Sequence, residues 1–159
     1  MSDLDFLRLA AQHARYSSED ARTQNAAILH CGDYTIAAAN RYPIRRWASG
    51  EYLNPPLKYE YIEHAERGAI YEAARSGRAT DGATLYAVWF SCPDCSRAII
   101  GAGIKTVVGS LHAREATPER WTVAVARGES MLRDAGVNMR WLADRVGVSI
   151  RFDGKELRL

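Results

Sequence analysis

Four residues in this 159-residue chain have the types and the spacing to do metal chemistry. His64 and Glu66 stand two apart in "YEYIEHAERGAIYEAAR" (Tyr59–Arg75), a stretch that reads as a helix with an alanine-rich face. Cys92 and Cys95 fall in "SCPDCSRAIIGAG", directly after the apolar, β-favouring run "ATLYAVWF". An imidazole and two thiolates are donors that zinc selects, and two Cys at this spacing can reach one ion from a single helical turn. Three protein ligands leave the fourth position for water, the layout of a catalytic site rather than a structural one. The two thiolates balance the charge of the ion, which can still draw the pKa of its water toward neutrality. Helix N-termini favour the thiolate form of both Cys. Glu66, a carboxylate beside that water but not a ligand, is placed to take its proton and pass it on. Taken singly, His64 reads as a cap or core histidine and the Cys pair as small core residues. Together, each opening a helix, they read as a site.

The elements that must hold these groups follow from the pattern around them. "LDFLRLAAQHARYS" carries apolar residues at a helical period. "AAILHCGDYTIAAAN" is two short apolar runs around Gly32-Asp33, a β-hairpin. "RYPIRRWASGEYLNPPLKYEY" has no clean period and predicts a long loop, and loops of that length in compact domains tend to be functional. Beyond the helix of His64, "ATLYAVWF", "KTVVGS" and "VNMRWLA" predict buried strands, alternating with the cysteine helix and with "PERWTVAVARGESMLRDAG". Ser91 is a candidate cap for the cysteine helix and Pro93 suits an early helical position. The tail "VSIRFDGKELRL" predicts a terminal hairpin at Asp-Gly. A hairpin followed by helix–strand repeats gives an α/β fold with a mixed central sheet of about five strands, covered on both faces.

Composition narrows the class. The length suits a single domain over residues 1–159, with 47% hydrophobic and 25% charged residues as in ordinary soluble proteins. A net charge of +2 tolerates an anionic ligand but is too small for a nucleic-acid platform, so no nucleic-acid partner is expected. The first residues are acidic and amphipathic, unlike a targeting peptide, and no apolar run reaches membrane-spanning length. Three Cys, two of them in one short motif, do not make a disulfide framework, which points to a reducing, cytoplasmic setting. Cys31 has no partner in the pattern and reads as structural. His13, His30 and His112 read as surface or packing residues.

His-x-Glu followed by Cys-x-x-Cys is a signature of zinc-dependent nucleobase deaminases, with the Glu as proton shuttle. The chain resembles the cytidine and deoxycytidylate deaminase superfamily, and most of all its deoxycytidylate (dCMP) branch. "AAQHARYSSEDARTQNAAIL" is similar to the family's opening helix and its Ser-x-Asp-x-x-Thr-Gln stretch, and "AAANRYP" to its Gly-x-Asn-x-x-Pro loop. "KYEYIEHAERGAI" and "TLYAVWFSCPDCSRAIIGAGIKTVV" resemble its His-Ala-Glu segment and its cysteine helix between two strands. The resemblance implies a three-layer α/β/α sandwich and hydrolytic removal of the exocyclic amine from a cytosine base, zinc-bound hydroxide attacking C4 while Glu66 moves protons. It also implies a homo-oligomer. His64, Cys92 and Cys95 match the zinc ligands, Asn40 the loop Asn that hydrogen-bonds sugar or base, and the Ala65 N–H the contact to the pyrimidine carbonyl. His as first ligand separates the chain from free-cytidine deaminases, which carry Cys there.

The chain departs from the pattern at Ser91, where the family has Pro, and at Gly68, where it usually has Asn. Both touch the pocket wall and bear on substrate identity more than on reaction type. Arg41, Arg45 and Arg46 follow Asn40, and one or more of them is expected to bind a 5′-phosphate. Phe90 and Trp121 are candidates to stack on the base, with packing against the sheet as the alternative, and packing is the expectation for Trp89. The expected reaction is deamination of dCMP, or a 5-substituted dCMP, to dUMP and ammonia. The alternatives are a deaminase of a purine or of tRNA adenosine, for which the near-neutral charge is unfavourable, and a non-catalytic zinc-binding member, for which Glu66 would be superfluous.

Overall fold

The computed structural model describes residues 1–90 and 92–159. Helix α1 (Asp3–Ser17) starts at a capping box in which the Ser2 hydroxyl accepts from the Asp5 N–H and the Asp5 carboxylate accepts from the Ser2 N–H. It buries Phe6, Leu7, Ala10, Ala11 and Ala14. Strands β1 (Ala26–Cys31) and β2 (Tyr34–Ala39) form the expected hairpin, turning at Gly32, whose φ of 57° suits a residue without Cβ. Two short 3₁₀ turns (Arg45–Trp47 and Gly50–Leu53) and α2 (Leu57–Tyr61) interrupt the long segment read as loop. Then come α3 (Ala65–Arg75), β3 (Thr84–Ala87), α4 (Pro93–Gly101), β4 (Thr106–Ser110), α5 (Leu111–Glu115) and α6 (Glu119–Asp134). Strand β5 (Asn138–Leu142) closes the main sheet, and β6 (Ser149–Phe152) pairs with β7 (Lys155–Arg158) in a separate hairpin.

The five-stranded sheet has the order β2-β1-β3-β4-β5, with β1 antiparallel to both neighbours and β3, β4 and β5 parallel. Successive residues of a strand face opposite sides, so a sheet covered on both faces needs apolar residues at consecutive positions. Leu85-Tyr86 and Val107-Val108 supply them. Tyr86 and Val108 join Ile28 and Phe6 in the cluster under α1, while Leu85 and Val107 join Ala69, Ile99 and Leu132 under α3, α4 and α6. The result is the expected three-layer α/β/α sandwich with a mixed sheet. No helix among the described residues is long and apolar enough to cross a membrane.

Two local expectations are corrected and one element is added. The helical pattern from Tyr59 onward breaks at residues 62–64, because Glu63 exchanges backbone hydrogen bonds with Arg41 (3.1 and 2.8 Å) and draws Ile62 and His64 into extended conformations. Cys92, rather than Ser91, caps α4, while Ser91 lies outside the described residues. Helix α5, unanticipated, is started by the Ser110 hydroxyl accepting from the Ala113 N–H at 3.3 Å.

Antiparallel pairing of β1 with β2 and β3 brings three chain segments to one edge of the sheet: the residues before β1, those after β2 and those after β3. Asp20, Thr23, Asn25, Asn40, Trp89, Phe90 and Cys92 meet there.

Candidate active site

His64 is the N-cap residue of α3, with φ −77° and ψ 147°, so its imidazole leaves the chain before the helix begins. Its N–H donates to Glu63 Oε1 at 2.9 Å. Arg67, one turn into α3, donates from Nε to the same oxygen at 2.5 Å and pairs through Nη1 with Asp94 Oδ2 at 3.4 Å. Asp94 sits between the two Cys, so Arg67 ties the turn bearing His64 to the turn bearing the thiols. Cys92 caps α4 through its sulfur, which accepts the Cys95 N–H at 3.4 Å, and Pro93 occupies the first turn, where its missing N–H costs nothing.

His64 Nδ1 lies 3.5 Å from Cys92 Sγ and 3.6 Å from Cys95 Sγ, and one ligand atom from each of the three residues falls within 4.8 Å of the others. Zinc bonds of about 2.3 Å to sulfur and about 2.0 Å to nitrogen, set at a tetrahedral angle, separate N from S by roughly 3.6 Å. The donor set therefore fits zinc in both chemistry and spacing. Beside it Glu66 is 2% exposed, and its Oε2 is buried with no hydrogen-bond partner among the described residues. A buried polar oxygen without a partner is costly, which is what a carboxylate reserved for a ligand looks like. Burial pushes the Glu66 carboxyl up to about 7, more than the neighbouring His64 charge draws it down. The hydrogen bond from the Cys95 thiol, reinforced by His64, holds Cys92 down at about 4. Cys95 is pushed up by giving that hydrogen bond and by its own burial. Burial lowers His64, but its hydrogen bond to Cys92 and the Glu66 charge outweigh that and leave it raised.

His64, Glu66 and Cys92 line a cleft whose open space, solvent at the mouth included, is about 680 Å³. Asp20, Thr23, Asn25, Asn40 and Lys58 form a polar wall; Tyr59, Ile62, Trp89, Phe90, Trp121 and Val125 form an apolar one. Asn40 is buried, its Oδ1 accepting the Ala65 N–H at 3.0 Å and its Nδ2 donating to the Thr23 carbonyl at 3.3 Å. The Ala65 N–H, expected to meet a pyrimidine carbonyl, is thus engaged by Asn40. Phe90 lies against the cavity but stacks on Trp141 at 4.1 Å and 7°. That stack needs Gly109, because a Cβ there would meet both rings at 2.6–2.7 Å. Trp121 lines the cavity edge-on to Tyr59, and Trp89, besides packing on Phe152, also reaches it.

The Arg cluster is placed elsewhere. Arg41, Arg45 and Arg46 are exposed and none lines the cavity, because the Arg41–Glu63 bridge and the 3₁₀ turn at Arg45–Trp47 carry them away from it. Two features escaped the sequence reading. Lys58 and Asp20 pair at 2.7 Å with side chains only 8% and 7% exposed, joining α2 to the loop before β1. Asn25 pins the end of β3 by exchanging hydrogen bonds with the Trp89 backbone at 2.9 and 3.2 Å. Lys58 and Asn25 find their partners 38 and 64 residues away, a distance over which no local period carries a signal.

Comparison with known proteins agrees with this geometry. The cytidine and deoxycytidylate deaminase zinc-binding region matches residues 1–111. The deoxycytidylate deaminase of Enterobacteria phage T2 is 51% identical over 75 residues, which are 47% of this chain and 35% of the phage protein. The chain thus spans about a third of that relative's length. An uncharacterized deaminase of Aliivibrio fischeri is 30% identical over 129 residues, covering 79% of this chain and 83% of that protein. Among solved structures, the dCMP deaminase of cyanophage S-TIM5, determined in complex with dCMP and dUMP, superposes with a TM-score of 0.61 at 23% identity, over 87% of this chain and 93% of its own. With the zinc-binding region matched over most of the chain and a donor triad spaced for the ion, the protein belongs to the cytidine and deoxycytidylate deaminase family.

Proposed function

We propose that the chain, as one domain over residues 1–159, hydrolyses the exocyclic amine of a cytosine nucleotide, dCMP or a 5-substituted dCMP, releasing dUMP or its counterpart and ammonia. One observation carries the reading: the His64, Cys92 and Cys95 donors lie together, and His64 and Cys92 share one cleft with the unpartnered Glu66 carboxylate. A protein holding zinc only for stability would have no use for a buried carboxylate left without a partner. Bound zinc supplies Lewis acidity and lowers the pKa of water at its open position.

The protein's own residues do the rest. Glu66, buried beside the donors with its Oε2 unpartnered, is placed to take up a proton and release it, so it can protonate the ring nitrogen and then the leaving amine. Asn40, braced by Ala65 and Thr23, offers an amide edge to the sugar or base. Phe90 and Trp121 bound the slot that receives a flat ring, and the apolar wall keeps bulk water from the reacting carbon. The cytosine nucleotide is favoured by the phage relative and by the dCMP- and dUMP-bound cyanophage structure.

Ammonia release measured on a panel of dCMP, CMP, deoxycytidine, cytosine, guanine and adenosine tests the proposal. dCMP or its 5-methyl form is expected to be turned over fastest, with the activity lost in Glu66→Ala. Turnover of a purine ahead of every cytosine compound, or none on any compound by zinc-replete protein, would overturn it.

A further inference from the structure

The charges inside the cavity leave a phosphate without a cation. Lys58, the one Lys or Arg lining it among the described residues, is spent on Asp20 at 2.7 Å, and Asp20 Oδ1 is further held by the N–H groups of Arg22 and Thr23 at 2.9 and 3.0 Å. A free cationic group has to come from the rim. Two guanidinium groups stand next to the cavity's lining residues.

Arg22 lies in the chain between Asp20 and Thr23, both cavity residues. Arg120 precedes Trp121, lies over that ring at 5.8 Å and stands beside the Tyr59 hydroxyl, and both aromatics line the cavity. One carboxylate gathers the two. Asp153 accepts from both terminal nitrogens of Arg120, one bond measuring 3.1 Å, and sits 3.7 Å from Arg22 Nη2. That last separation exceeds a hydrogen bond. The Arg22 side-chain donors make no hydrogen bond to any other described residue, and the side chain is 62% exposed.

Asp153 holds this position through the β6–β7 turn. Its φ of 50° and the 77° of Gly154 give the tight two-residue turn that Asp-Gly favours. The turn is docked on the loop before β1, with the Gly154 N–H donating to the Arg22 carbonyl at 2.8 Å and the Asp153 N–H to the Thr23 hydroxyl at 3.4 Å. Two guanidinium groups against one carboxylate leave a net positive charge at the rim. Arg120 and Asp153 both lie beyond the residues matched to the family's zinc-binding region.

We infer that Arg22 and Arg120, gathered by Asp153 of the C-terminal hairpin, form the subsite that binds the phosphate of the nucleotide. The inference rests on the proposed nucleotide substrate and names the residues that make it a nucleotide rather than a nucleoside. Planar guanidinium forks suit a phosphate, and a pair held in advance by a carboxylate loses little freedom on binding.

The test uses equilibrium binding of the unreactive product pair, dUMP against deoxyuridine, to the zinc-loaded protein, and so does not depend on turnover. The wild type is expected to prefer dUMP by about tenfold or more, the size of one or two charge-assisted contacts. Arg22→Ala and Arg120→Ala should each lower that preference several-fold, the double variant should bring it to about one, and Asp153→Asn should give an intermediate loss. A preference that stays at its wild-type value in the double variant, or a wild type with no preference, overturns the subsite. The ammonia assay judges the reaction separately, so a protein that prefers dUMP yet deaminates nothing would keep the subsite and lose the proposed activity.

Discussion

At the scale of single residues, Glu66 is the group on which chemistry and stability pull in opposite directions. Its carboxyl is buried without a partner for Oε2, which destabilises the fold and leaves the group free for a ligand. Glu66→Gln keeps the volume and removes the titration. It is expected to lower kcat by about a hundredfold or more, as loss of a positioned acid–base group does, with zinc content measured by atomic absorption still near one per chain. In metal-free protein the same residue sets a slope of stability against pH. Its folded pKa of about 7 stands above the ordinary 4.5, so between those values the folded state binds more protons than the unfolded. The Glu66 contribution to stability therefore falls as pH rises through that window, while Cys92, held at about 4, contributes the opposite slope. Urea unfolding of metal-free protein at pH 5 and pH 7.5 should show the wild type losing stability relative to Glu66→Gln as pH rises, since the Cys92 contribution is common to both.

At the scale of elements, the site is a meeting of two helix starts, and what holds them in register lies outside the donors themselves. Arg67 is the tie, bonded to the Glu63 that fixes the His64 N–H and to the Asp94 that sits between the Cys. Arg67→Ala should speed zinc transfer to a chromophoric chelator by about tenfold, the lower end of the effect of partners behind metal ligands. An unchanged rate would show that the helices keep their register without it. Lys58 does for the cavity's polar wall what Arg67 does for the donors. Lys58→Met leaves Asp20 buried and unpaired, so it should cost about 3 kcal/mol or more in urea unfolding, and Asp20→Asn added to it should recover part of that loss. These ties also mark what could be read from the sequence. His64, Glu66, Cys92 and Cys95 were legible because their spacing is local and their chemistry narrow. The strands were legible because a sheet buried on both faces needs unbroken apolar runs such as Thr84–Ala87. The break before α3 was not, since a backbone bridge from Arg41 overrides a good helical pattern. Nor was the grouping of Arg22 with Arg120, because it depends on Asp153 arriving from the far end of the chain.

At the scale of the molecule, the question is how much of the fold depends on the metal. In small zinc domains the ion replaces a core and its removal unfolds the chain. Here two hydrophobic clusters, one on each face of the sheet, are built mostly from residues that owe nothing to the site, including Leu7, Leu29, Leu85, Val107, Val108 and Leu132, all 1% exposed or less. The three donors sit at one edge, on the first turns of α3 and α4. Stripping zinc should therefore leave the far-UV circular dichroism almost unaltered while lowering the melting temperature. A ligand that binds only the folded state, present at a hundred times its dissociation constant, adds about 2.7 kcal/mol. For a chain of this size that corresponds to a shift of roughly 5–10 °C. The drop on chelation should reverse when zinc is returned, and Cys95→Ser should melt alike with and without the ion. Loss of secondary structure on chelation would mean that the clusters flanking the sheet cannot sustain the fold, and that the metal is part of the core rather than a passenger at its edge.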